Sequence, residues 1–180
     1  ELDDDMLRFL LAHDRDAFNR WDAGQTLVRR RVLSGIEALR NNREFQLPAA
    51  DIDAFRRLLA DEALDDAFKA EALTPPSAEV IGEAMETIEP DLLHEARERL
   101  IGQLAEALEY DLHAAWQARR DTGEGEYQID ADTIGRRRLK NLCLGYLGGL
   151  ERDEYIGHAM RQVEAGHNMT DVVAGLRVLS

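Results

Sequence analysis

The segment PDLLHEARERLIGQLAEALEYDLHAAWQAR, residues 90–119, decides the fold. Leu93, Ala96, Leu100, Leu104, Ala107, Leu108, Leu112 and Ala115 recur in it at steps of three and four, which places them on one stripe of an α-helix. Glu89-Pro90-Asp91 supplies the start, because proline fits the first helical position and carboxylates suit the positive end of the helix dipole. Thr122-Gly123-Glu124-Gly125 supplies the stop. At 1.5 Å per residue the segment makes a helix about 45 Å long. An apolar stripe of that length needs helical neighbours along all of it.

Those neighbours are legible on both sides. Upstream, Asp3-Asp4-Asp5 opens a short helix carrying Met6, Leu7, Phe9, Leu10 and Leu11. A second follows with Phe18, Trp21, Val28, Val32, Ile36 and Leu39 on one face, ending near Asn41-Asn42. The triplet Arg29-Arg30-Arg31 reads as its outward, solvated face. Asp51 to Ala60 and Leu64 to Leu73 form shorter helices, the second stopped by Thr74-Pro75-Pro76. Ser77 starts another that ends before Pro90, with Val80, Ile81, Ala84, Met85 and Ile88 apolar. Downstream, Glu126-Tyr127-Gln128-Ile129 reads as a loop. Asp130 begins a helix with Ile134, Leu139, Leu142, Cys143, Tyr146, Leu147 and Leu150 inward, in which Gly145, Gly148 and Gly149 permit close helix approach or end the helix. Asp153 to Ala165 and Thr170 to Leu179 complete the series, the last capped at Asn168. The expectation is an all-α fold of eight or nine helices without significant sheet. Antiparallel helix pairs stack in it as a right-handed, HEAT-like α-solenoid.

Composition agrees and excludes several functions. The 180 residues are 44% hydrophobic and 32% charged, with four prolines, so a single helical domain spanning residues 1–180 is expected. No apolar run approaches the roughly 18 residues of a membrane span, and no signal peptide opens the chain. Thirty-six acids against 22 Lys+Arg give a net charge of −14, a surface that repels nucleic acid. The one cysteine, Cys143, suits a reducing compartment, and the expected location is the cytoplasm. The start at Glu1 and the end at Leu179-Ser180, inside a helical pattern, suggest a piece of a longer chain.

No motif in the chain matches a recognised catalytic constellation. Zinc hydrolysis on a helix needs two imidazoles one turn apart with a glutamate acting on water. In His94-Glu95-Ala96-Arg97-Glu98 the second imidazole is replaced by Glu98, and Arg97 sets a cation beside it. His113, His158 and His167 have no partner at ligand spacing. Cys143 lies on an apolar face and reads as an inert thiol. Acid pairs such as Asp65-Asp66 or Asp130 with Asp132 are unremarkable among 36 acids. Gly123 and Gly125 belong to no phosphate-binding fingerprint. No catalytic, cofactor-binding or metal residue is assigned.

Three strings in order do carry a resemblance: Asn19-Arg20-Trp21-Asp22-Ala23-Gly24-Gln25, Arg138-Leu139-Lys140-Asn141-Leu142-Cys143-Leu144-Gly145-Tyr146-Leu147, and Asn168-Met169-Thr170-Asp171. Together they resemble the first half of the C-terminal helical domain of the M1-family zinc aminopeptidases of the bacterial aminopeptidase N type. The resemblance implies a parent enzyme that removes N-terminal residues from peptides with a zinc-activated water. It implies that the zinc ligands lie in an upstream catalytic domain, so this segment holds no cofactor of its own. It further implies a non-catalytic role here, capping the active-site cleft and limiting access. The expected partners are that catalytic domain, further helices downstream and the parent's peptide substrates. The alternative is a free-standing α-solenoid scaffold for protein partners, without enzymatic activity.

Overall fold

The computed structural model describes residues 2–120 and 129–180, so the glycine stop at 122–125 and the loop assigned to 126–128 lie outside the described residues. Among the described residues there are ten helices and no strand, which bears out the all-α expectation. They fall into two compact units, Glu1–Asp61 with Glu71–Ala107 and Glu62–Ala70 with Leu108–Ser180.

The first unit is built on α2 (Ala17–Arg40), which packs against α1 (Asp4–His13) and α6 (Pro90–Ala107), while α3 (Ala49–Ala60) packs on α1 and the one-turn α5 (Ala78–Gly82) on α6. Helix α4 (Asp66–Ala72) spans the division between the units. Capping follows the sequence: Asp3 accepts from Met6 N, Asp16 from Asn19 N and Ser77 from Val80 N. Leu11, Leu27, Val32, Leu58 and Ile81 are fully buried in this core.

Three local expectations are corrected. The helix from Ser77 stops at Gly82, and Val80 and Ile88 are half exposed at 48% and 57%. Phe18 is 66% exposed, since the buried face of α2 runs instead through Ala23, Leu27, Val28, Val32 and Ile36. The arginine triplet is not simply a solvated face. Arg31 reaches Asp51 and Asp4 at 2.5 Å, and Arg30 reaches Asp4 at 2.9 Å. Asp51 is 1% exposed and also accepts from Arg8 at 2.6 Å. Arg31, with Arg8, is held because the buried Asp51 carboxylate without cations is costly, whereas Arg30 pairs with the partly exposed Asp4.

The long helix is also divided. Leu108, at φ −107 and ψ 10, leaves helical geometry, and the chain resumes as α7 (Glu109–Ala118). The apolar stripe continues through the break, but Leu93, Ala96, Leu100 and Leu104 are buried in the first unit, whereas Leu108, Leu112 and Trp116 are buried in the second. The break falls where the stripe passes from one unit to the other.

In the second unit α7 packs on α8 (Ala131–Gly148), and α9 (Asp153–Ala165) and α10 (Met169–Leu179) pack on each other and on α8. Leu139, Cys143, Leu144 and Leu147 of α8 are fully buried at its centre. A Cβ on Gly148 would sit 2.4 Å from Val178 Cγ1, and one on Gly135 would sit 2.9 Å from the Ala67 backbone nitrogen, so both glycines mark close approach. Gly166, at φ +60, ends α9 in the left-handed conformation that glycine adopts without penalty.

Candidate functional site

Two of the three strings behind the resemblance meet in the second unit. Lys140 of α8, 3% exposed, donates to Asp171 Oδ2 at 2.6 Å, and Asp171 is itself 2% exposed. Asn141 donates to Asp171 Oδ1 at 2.8 Å, and Asn168 donates to its Oδ2 while capping α10 by accepting from Asp171 N at 2.9 Å. Gln162 of α9 bridges Asn141 Oδ1 and the Asp171 carbonyl, both at 2.9 Å. Burial alone would raise the Asp171 carboxyl; the bonds from Lys140 and Asn141 outweigh it and hold the carboxyl below the usual carboxylate value of 3.8. The third string serves the first unit. Arg20, 4% exposed, donates to the carbonyls of Leu11 and Ala12, which end α1, and to Asp61 at 2.8 Å. Gln25 donates to the Thr74 carbonyl. All three strings are framework.

Above the Lys140–Asp171 pair lies a recess of about 220 Å³, walled by Trp116, Arg120, His158, Arg161 and His167. The Trp116 and His158 rings stack at 4.2 Å between centroids, 19° apart in plane. His113, one turn before Trp116 on α7, lies 5.6 Å from the His158 ring at 17°. The Arg120 guanidinium sits 5.3 Å from the Trp116 ring centroid, a cation–π distance. Burial and the Arg161 charge lower the His158 pKa, with Glu154 opposing them. Trp116 Nε1 and His158 Nε2 are buried without a hydrogen-bond partner among the described residues. Beside them Tyr155 donates to Glu109 Oε1 at 2.5 Å, and burial together with that carboxylate pushes the tyrosine up to about 12.

His94, Glu95 and Glu98 are exposed on α6, with Glu95 paired to Arg99 and Glu98 to Arg97. Cys143 is fully buried, and burial pushes its thiol up to about 12, so it is no nucleophile at neutral pH. Asp66 pairs with Arg119 at 2.5 Å, and Asp130 caps α8. His113 and His158, read from spacing as having no ligand partner, are brought together with Glu154. The signal was half present: Glu154 and His158 stand at i, i+4 on α9, but His113 joins them only through the packing of the helices.

An all-α array of packed helix pairs, with a framework of buried ion pairs and a small polar recess, defines a helical-repeat protein. The chain belongs to the family described as "Domain of unknown function (DUF3458_C) ARM repeats", whose model matches residues 4–180. It is similar to Aminopeptidase N of Escherichia coli, 35% identical over 173 residues, covering 96% of this chain and 20% of that protein. Aminopeptidase N of Caulobacter vibrioides is likewise 35% identical over 171 residues, covering 93% of this chain and 19% of that protein. The chain therefore spans about a fifth of the length of the curated relatives it matches. Its fold is that of a segment of Legionella pneumophila aminopeptidase A, solved in complex with aspartic acid. The TM-score is 0.84 at 24% identity, over 99% of this chain and 21% of that one.

Proposed function

We propose that the chain is the first part of the C-terminal helical domain of a zinc-dependent M1 aminopeptidase. It carries no catalytic group itself and serves to cap the active-site cleft and restrict which peptides enter. The observation that carries this reading is the continuous alignment: 96% of the chain matches one fifth of Aminopeptidase N. The zinc, the peptide substrates and the catalytic domain then belong to the parent chain, with no step of the reaction assigned to residues here. Apolar side chains left open on α1 and α10, Phe9 at 59% and Met169 at 75%, suit faces that meet further parts of the same protein. No helix among the described residues is long and apolar enough to cross a membrane. A cytoplasmic setting is supported by the unpaired, buried Cys143, and the −14 charge argues against a nucleic-acid partner.

The test is to read the coding frame on both sides of the segment. An upstream frame encoding His-Glu-x-x-His and a Gly-x-Met-Glu-Asn strand is expected. Deletion of residues 1–180 from that enzyme is then expected to broaden its use of longer peptides if the protein remains folded. A start codon just before Glu1 and a stop just after Ser180 would replace this reading with that of a free-standing helical scaffold.

A further inference from the structure

We propose that His113, Glu154 and His158 form a binding site for a divalent transition-metal ion of the zinc class, clipping α7 to α9. Glu154 Oε1 lies 3.9 Å from His113 Nε2 and 3.7 Å from His158 Nε2, and the three ligand atoms all lie within 4.8 Å of one another. Zinc bonds of about 2.0–2.2 Å put tetrahedral N and O ligands roughly 3.3–3.6 Å apart. Approaches of a few tenths of an ångström therefore bring Glu154 to both imidazoles, and its side chain, 60% exposed, is free to make them.

Two further observations point the same way. His158 Nε2 is buried with no hydrogen-bond partner among the described residues, a costly state; in the tautomer with its proton on Nδ1, that nitrogen presents a lone pair which a metal ion would satisfy. The donor set of two imidazoles and one carboxylate suits zinc, cobalt or nickel, whereas calcium and magnesium take all-oxygen shells. Three protein ligands leave the remaining coordination position to water.

Arg161 competes with this site. Its guanidinium contacts His158 Nδ1. Guanidinium only donates, so Nδ1 accepts and the neutral ring carries its proton on Nε2. Metal on Nε2 requires the other tautomer, and Arg161, exposed at the surface, must swing away for it to form. The arginine is thus a cationic brake on loading.

The test uses the full 180-residue chain. Zn²⁺ is titrated by calorimetry, Co²⁺ by visible absorption, and Trp116 fluorescence is followed alongside. The expected result is one ion per chain with micromolar affinity. His113→Ala and His158→Ala should each weaken it by more than the roughly 10–100-fold that loss of a mere supporting partner costs. Arg161→Ala should tighten it, and His94→Ala should leave it unchanged. Circular dichroism confirms that each variant is folded. Should His158→Ala unfold, His113→Ala decides, because that side chain is already 30% exposed. Absence of stoichiometric micromolar binding overturns the proposal, as does binding that survives His113→Ala. Neither result bears on the aminopeptidase reading, which the coding frame tests separately.

Discussion

Lys140 and Asp171 show what one buried charge demands of its neighbours. With both side chains almost fully enclosed, removing either leaves the other as an uncompensated charge. Lys140→Met or Asp171→Leu alone is expected to lower unfolding free energy by about 3–5 kcal/mol in urea melts. The double variant, which leaves no orphan charge, should recover most of that loss. The pair also sets an acid limit. Because the folded Asp171 carboxyl titrates below its usual 3.8, its contribution is complete above that value and is lost as pH falls through the lower folded one. Plotting urea midpoints against pH should show a fall below about pH 4 that is shallower in the double variant, where other carboxylates held low, such as Asp4, still contribute. Cys143, whose thiol is raised to about 12 by burial, should react with a thiol reagent only at the rate of unfolding, and rapidly in denaturant. That cysteine's inertness was legible from its apolar face. The partnership of Lys140 with Asp171 was not, since 31 residues separate them and only tertiary packing joins their helices.

At the scale of the helix, Gly145 and Gly148 differ in what lies opposite them. A Cβ on Gly145 meets nothing within 4 Å, whereas one on Gly148 runs into Val178. Gly145→Ala should therefore raise thermal stability by up to about 1 kcal/mol through helix propensity. Gly148→Ala should lower it by about 1–3 kcal/mol, because α10 must give way. Paired thermal melts check both. From sequence alone these glycines read alike. Helix starts were far more legible, as Asp3, Asp130 and Asn168 each act within one turn. Ends and breaks were less so: the interruption at Leu108 has no glycine or proline to announce it and coincides with the division between the two units. The ligand trio on α7 and α9 is hidden for a similar reason, being half local spacing and half tertiary contact.

At the scale of the whole molecule, apolar residues that no neighbour covers should govern behaviour in solution. Met169 at 75% and Leu176 at 50% lie along α10, and Leu2 at 50% and Phe9 at 59% lie at the start of the chain. Light scattering of the isolated chain should show mass rising with concentration, and Met169→Lys with Leu176→Lys should suppress it. A strict monomer over a wide concentration range would count against these faces being sticky. The helical class was legible because every long segment repeats at the same period. The division into two units was not, because no linker composition marks it.

Asp51 carries a consequence for how such a sequence drifts over generations. Arginines from two different helices, Arg8 and Arg31, converge on this one enclosed carboxylate. Either cation can be lost while the other still neutralises it, so these two positions form a redundant set through which neutral substitutions can pass. The carboxylate has no such understudy. An alignment of descendants should show position 51 nearly frozen while positions 8 and 31 vary in turn, seldom both at once.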